Sequence, residues 1–266
     1  MKTKVMTIVG TRPEIIKLSR VIHELDKFTD HILVHTGQNY DYELNEIFFD
    51  DFDLKKPDIY LNAVGKNASD TIGNIISKTY EQLTKIKPDA FLVLGDTNSC
   101  LSAISAKKLQ IPVFHIEAGN RCFDQRVPEE SNRKIVDSIS DINITYSDIA
   151  REHLISEGHS ADRVIKVGSP MKEVLNYMQP KYQRSEILAR LKIKPSEYFL
   201  VSAHREENVS NEKNFNRLIN SLKRIYEKYS LPIIVSTHPR TMNVILKNKI
   251  SLNKEIIFLK PFSFSD

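Results

Sequence analysis

The sequence predicts an α/β protein made of two Rossmann-like domains, the second incomplete. Three observations carry that prediction. Short apolar runs alternate with amphipathic segments along the chain. Five of the eight glycines, Gly10, Gly37, Gly95, Gly119 and Gly168, stand just behind such a run. Behind Gly168 the rhythm changes and no further glycine occurs. Alternation of this kind builds βαβ units, whose parallel sheet is covered on both faces and whose strands read as near-continuous apolar runs.

The first strand is expected at Val5–Val9, in "VMTIVGTRPEIIKLSRVI". The chain breaks at Gly10 and continues as a helix over Glu14–Leu25, with Thr11, Arg12, Glu14 and Lys17 crowded at the break. An arginine at such a turn is either a solvated loop charge or the holder of an anion at a helix N-terminus. The opening "MKTKVMTIVG" is read as this strand rather than as a leader, because its apolar part is short and runs into Thr11-Arg12-Pro13-Glu14 without a small-residue cleavage site. Further strands are expected at Ile32–His35, Ala90–Leu94, Val113–Ile116, Ile142–Tyr146 and Val164–Val167. The helices between them are expected at Thr71–Thr84, Ser99–Lys108, Glu129–Ser138 and Asp148–Glu157. Right-handed crossovers then bring the strand C-termini to one crest, where open α/β sheets hold their ligands.

Residues 1–168 are taken as the first domain and 169–266 as the second. The second opens on a helical stretch broken at Pro180, followed by strands at Tyr198–Ser202, Ile233–Ser236 and Ile256–Leu259 and helices at Asn214–Lys228 and Thr241–Lys249. Three strands fall short of the usual sheet of about five or six, hence the expectation of an incomplete domain.

Bulk properties narrow the function. Hydrophobic residues make up 41% and charged residues 27% of 266, ordinary values for a globular chain. No apolar run approaches the roughly 20 residues of a membrane span, so no membrane partner is expected. Cys100 and Cys122 form neither a disulfide framework nor a metal spacing, which points to a reducing cytoplasm. A net charge of +4 without a basic block gives no nucleic-acid footprint. The dinucleotide fingerprint G-x-G-x-x-G, the phosphate loop G-x-x-x-x-G-K-[ST], the zinc motif H-E-x-x-H and the serine elbow G-x-S-x-G do not occur. Neither a cofactor nor a metal is expected.

What remains is a set of carboxylates at the crest. Asp96 follows "FLVLG", Glu117 follows "VFHI", and Glu129 and Glu130 open a helix in "VPEESNRKIV". Each has a structural explanation: Asp96 as a cap for the helix near Ser99, Glu129 as a first-turn acid on the helix dipole. Together, at the ends of consecutive elements, they favour an acid–base site. Arg12 and Lys17 flank the first helix turn, and Arg121 and Arg133 bracket the Glu117–Glu129 segment. The second domain adds His204 and Arg205 in "SAHREEN" and His238 and Arg240 in "STHPR", each behind an expected strand. Two α/β domains with anion binders on facing crests describe a nucleotide-sugar enzyme.

"GTRPEIIKLS", "HTGQNYD", "LVLGDTNS", "HIEAGNR", "PEESNRKIVD", "VGSP" and "HREEN", in this order, resemble the non-hydrolysing UDP-N-acetylglucosamine 2-epimerase family. The resemblance implies a GT-B-like fold, an interdomain active site, and inversion of C2 of a UDP-linked 2-acetamido sugar by elimination and re-addition of UDP. It implies catalytic roles for Asp96, Glu117, Glu129 and His204, the last near the leaving UDP. Substrate binding falls to Arg12, Lys17, Gln38, Arg133, Arg205 and His238. The expected partner is a UDP-sugar, and the expected assembly a homodimer.

"AGNRCFDQRV" and "HTGQNYDYELN" are closer to the subgroup acting on UDP-2-acetamido-2,6-dideoxy-L-talose in capsule or O-antigen synthesis. Family members continue past Asp266 with residues that hold UDP, so residues 1–266 alone are expected to bind UDP poorly. The competing readings are a GT-B glycosyltransferase, which needs no carboxylate cluster in the first domain, and an inactive truncated remnant.

Overall fold

The computed structural model describes residues 2–37, 46–202, 212–237 and 254–266. The chain forms two compact units, Met1–Tyr177 and Met178–Asp266. The expected α/β class is borne out in both.

In the first unit the strands are β1 (Lys4–Val9), β2 (Asp30–His35), β3 (Ile59–Tyr60), β4 (Ala90–Leu94), β5 (Val113–Ile116), β6 (Ile142–Thr145) and β7 (Val164–Lys166). They form one parallel sheet in the order β3-β2-β1-β4-β5-β6-β7. The helices are α1 (Arg12–Phe28), α2 (Glu46–Asp51), α3 (Ala68–Ile86), α4 (Ala103–Lys108), α5 (Pro128–Ile139) and α6 (Asp148–Ser156). From β1 the chain winds to β2 and β3; from β4 it winds the other way to β7. Right-handed crossovers therefore place α1 on one face of the sheet and α3 to α6 on the other. The reversal between β1 and β4 is the topological switch point, where α/β sheets open a crevice.

The apolar runs form strands because both faces are buried. Met6, Ile8, Phe91, Val93 and Val113 are fully buried and share one core with Ile75 and Leu83 of α3. Each such side chain contributes about 1.5–3 kcal/mol on burial.

Two short elements, α2 and β3, escaped the sequence reading, being too brief for a period to show. The helix expected from Ser99 begins as a 3₁₀ turn over Asn98–Ser102 before α4. Pro180 does not break its helix: α7 runs Met171–Tyr182. Only one amide is lost there, and the Gln183 N–H still reaches Gln179 O at 3.1 Å.

In the second unit, after the short α8 (Ile187–Leu191), the strands β8 (Phe199–Ser202), β9 (Ile233–Ser236) and β10 (Ile256–Leu259) are parallel, with β9 in the centre. Helix α9 (Glu212–Tyr229) lays Phe215, Ile219 and Leu222 inward at helical spacing, with Leu222 against Ile233, Val235 and Ile256. The helix expected at Thr241–Lys249 lies outside the described residues.

Candidate functional site

The switch point is held together by Glu14. It is the third residue of α1, three beyond Thr11, the spacing at which a glutamate reaches back to the helix start. Its Oε2 accepts from the Gly10 and Thr11 amides at 3.0 and 2.7 Å and from Thr11 Oγ1 at 2.8 Å. Thr97 Oγ1, behind β4, donates to Oε1 at 3.1 Å. Glu14 therefore ties the turn after β1 to the turn after β4. Burial pushes its carboxyl up to about 7, and the hydrogen bonds from Thr11, Gly10 and Thr97 oppose that rise. The amides expected to receive an outside anion are taken by the chain's own carboxylate. Beside them Arg12 is half-buried, its guanidinium 5.9 Å from the Phe48 ring centroid, within cation–π range.

Asp96 stands two residues behind β4. Arg133 of α5 places Nε and Nη2 on its Oδ2 at 3.1 and 2.6 Å. Asn132 Nδ2 donates to the Asp96 carbonyl at 2.9 Å, so two neighbours on α5 brace the turn. The remaining arm of Arg133, Nη1, donates to Glu130 Oε2 at 2.7 Å. Glu130 is fully buried, and it also accepts from the Cys122 amide (3.1 Å), the Cys122 thiol (3.2 Å) and the Phe123 amide (3.2 Å). Burial alone would raise this carboxyl; those donors and Arg133 outweigh it and hold it below the ordinary range. Glu129 is exposed on the first turn of α5, with no ion pair or hydrogen bond among the described residues. Asp96 does not cap the following helical turn, whose cap position is Thr97.

Glu117 follows β5 directly, and β5 pairs with β4, so Asp96 and Glu117 share one stretch of crest. Lys17 Nζ of α1 lies 2.5 Å from Glu117 Oε2, with side chains 27% and 17% exposed. Glu117 has φ +69°, in the left-handed region that non-glycine residues adopt uncommonly.

Around Glu117 runs a hydrogen-bonded chain of His115, Asp137 and Arg121, their side chains all buried, ending on the exposed Glu157. The His115 ring lies 2.8 Å from Asp137 Oδ1 by Nδ1 and 2.8 Å from Gly95 O by Nε2. Asp137 also accepts from Arg121 Nη1 at 2.7 Å and from the Gly119 amide at 3.2 Å, and Arg121 continues to Glu157 at 2.5 Å. Burial would raise the Asp137 carboxyl, yet His115 and Arg121 hold it below the usual range. Gly119 is required in this turn: at φ +79°, a Cβ would stand 2.2 Å from Ala150 O. The turn carrying Glu117 is thereby fixed to β4, α5 and α6.

The structure thus gathers Asp96, Glu117, Lys17 and Arg133 at one switch point, with Arg12 on the first turn of α1. Gln38, His204, Arg205 and His238 lie outside the described residues, as does Arg240. Among the described residues no group of three or more His, Cys, Asp or Glu is placed to hold a metal ion. No helix among them is long and apolar enough to cross a membrane. The sequence reading named Glu130 among the crest carboxylates but missed Glu14 and the His115–Asp137 pair as site residues. The Thr11–Glu14 spacing was a usable sign of the first, and a histidine within the apolar run "VFHI" was a sign of the last.

The family model described as UDP-N-acetylglucosamine 2-epimerase matches residues 23–266. Among solved structures, UDP-N-acetylglucosamine 2-epimerase from Rickettsia bellii is similar at 53% identity and a TM-score of 0.91, over 100% of this chain and 71% of its own. UDP-GlcNAc 2-epimerase of Methanocaldococcus jannaschii, solved with UDP-GlcNAc and UDP, is 32% identical with a TM-score of 0.89, over 99% of this chain and 75% of its own. The UDP-2,3-diacetamido-2,3-dideoxy-D-glucuronate 2-epimerase of Pseudomonas aeruginosa is 34% identical over 98% of this chain and 73% of its own length.

Proposed function

Because the chain belongs to the UDP-N-acetylglucosamine 2-epimerase family, and so to a family of isomerases with a GT-B-like α/β fold, we propose that it converts UDP-N-acetylglucosamine to UDP-N-acetylmannosamine by inverting C2. The observation that carries the chemistry is the placement of Asp96 and Glu117 behind adjacent strands, each on a cation, Arg133 and Lys17. Inversion requires a base to remove the C2 proton and an acid to return one on the opposite face. A carboxylate takes the C2 proton, the C–H pair becomes the C1–C2 double bond of a 2-acetamidoglycal, and UDP leaves with the C1–O pair. UDP then adds back to C1 while C2 is reprotonated from the other side. The step sequence involves no net oxidation. Lys17 and Arg12 supply positive charge for the departing diphosphate. Glu129 and His204 join the catalytic set, and Gln38, Arg205 and His238 the binding set, on the strength of the motifs that carry them.

A second reading concerns the sugar. The Pseudomonas aeruginosa relative acts on a UDP-linked diacetamido sugar, and "AGNRCFDQRV" departs from the plain form of its segment. That relative extends the family to other UDP-linked amino sugars, and the form of "AGNRCFDQRV" and "HTGQNYDYELN" makes UDP-2-acetamido-2,6-dideoxy-L-talose the alternative substrate. Proton NMR in D2O with each UDP-sugar tests both readings: deuterium entering C2 identifies the substrate. Sugar transfer to an acceptor without exchange at C2 would favour a glycosyltransferase and overturn the epimerase reading.

A further inference from the structure

Tyr146 lies immediately behind β6, and its hydroxyl is buried with no hydrogen-bond partner among the described residues. Buried polar groups in folded proteins are nearly always paired, so an orphan calls for a specific explanation. Other orphaned groups occur, but this one stands beside a carboxylate of the proposed site.

Two constraints place it there. Register pairs Ile116 of β5 with Ile144 of β6, and the Ala118 amide donates to Ile144 O at 3.1 Å, so the residue after Thr145 lies alongside the Glu117 turn. Strand alternation gives the direction. Asn143 and Thr145 are buried on the α5 face, where Asn143 Nδ2 donates to Asp137 O at 3.0 Å. Carried one residue past the strand end, the same alternation sets Tyr146 on the opposite face, the one that carries α1. Glu117 reaches the α1 side too, because its positive φ turns it out of the strand alternation and its carboxylate meets Lys17. Burial first, and then the Glu117 charge, push the phenol well above its ordinary value, so the hydroxyl keeps its proton and is available as a donor.

We propose that Tyr146 is a sugar-contacting residue, whose O–H donates a hydrogen bond to an oxygen of the 2-acetamido sugar held at Glu117. This assignment rests on the epimerase reading and adds to it a residue that reads the sugar rather than the UDP.

The test compares the full chain with Tyr146→Phe by three readouts: kcat/KM from deuterium entry at C2 of UDP-N-acetylglucosamine, Kd for UDP, and the ligand-free thermal midpoint. The variant is expected to lose about three- to tenfold in kcat/KM, the effect of one neutral hydrogen bond, with Kd for UDP unchanged. Its ligand-free midpoint is expected to be equal or higher, because the hydroxyl satisfies nothing in the free protein. An unchanged kcat/KM overturns the assignment. So does a lower ligand-free midpoint, which would give the hydroxyl a protein partner, or an equal loss of UDP affinity. A wild-type chain that exchanges no C2 hydrogen overturns the epimerase reading itself, and Tyr146 falls with it.

Discussion

Lys17 and Glu117 stand 100 positions apart in sequence, yet Nζ and Oε2 meet at 2.5 Å across the switch point of the sheet. The ion pair joins the second turn of α1 to the residue directly behind β5, and Glu117 holds a left-handed backbone to make it. Strain of that kind persists where surrounding contacts enforce it, and such sites tend to be functional.

Glu117→Gln is accordingly expected to lower turnover by about 10²–10⁴-fold, the usual contribution of a general acid or base. Its thermal midpoint should change little, because the partners that hold the turn, Asp137 and Arg121, are untouched. Initial rates with a UDP-2-acetamido sugar check this, and full turnover in the variant removes Glu117 from the catalytic set.

Arg133 is expected to matter more for stability than either of its acids. Arg133→Met takes the close cation from Asp96 and from the fully buried Glu130, leaving Glu130 only Lys134 at 3.8 Å, whereas Asp96→Asn leaves the Arg133–Glu130 pair intact. Breaking a buried ion pair by removing one partner costs about 3–5 kcal/mol. Parallel denaturant titrations should show a loss of that order for Arg133→Met and a clearly smaller one for Asp96→Asn. Equal losses would mean that Lys134 and the Cys122 and Phe123 amides hold Glu130 without Arg133.

Gly119→Ala and Gly95→Ala separate backbone strain from collision. Both glycines have positive φ, +79° and +70°, but a Cβ at Gly95 meets nothing within 4 Å, while one at Gly119 would stand 2.2 Å from a carbonyl oxygen. Gly95→Ala is expected to cost about 1–2 kcal/mol, the left-handed penalty. Gly119→Ala should cost well beyond that and depress turnover, because relieving the clash moves the Glu117 turn. Matching stabilities would show that α6 yields freely.

The pH dependence of stability should carry the mark of Glu14. Its folded carboxyl is raised to about 7 from 4.5, so the folded state binds the proton more tightly than the unfolded chain does. The contribution is fully present below about 4.5 and is lost as pH rises through 7. Relative to Glu14→Gln, the wild-type chain should gain stability as pH falls across this window, by on the order of 3 kcal/mol in total. Unfolding free energies of both proteins between pH 4 and 8 provide the check, and a flat difference would place the Glu14 carboxyl in its ordinary range.

The sequence by itself determined the parallel α/β build and most strand positions: Ala90–Leu94, Val113–Ile116, Ile233–Ser236 and Ile256–Leu259 all stand where the apolar runs put them. A strand buried on both faces writes its length directly into its composition, and a glycine behind it marks the turn. The same local logic placed Asp96 and Glu117 at strand ends. Only the tertiary structure decided what those acids meet. That β4 pairs with β1 rather than with β3 depends on where the chain reverses its winding, and no local pattern encodes this. In "PEES" two adjacent glutamates are chemically alike, yet Glu130 is sealed behind Arg133 and two amides while Glu129 faces solvent. One residue along a helix is a turn of about 100°, and which way that turn points is set by the packing of α5 on the sheet. The left-handed φ at Glu117 is equally illegible in the sequence, because what holds that turn is a chain of polar and charged groups, the buried His115, Asp137 and Arg121 and the exposed Glu157 just past α6, drawn from separate elements.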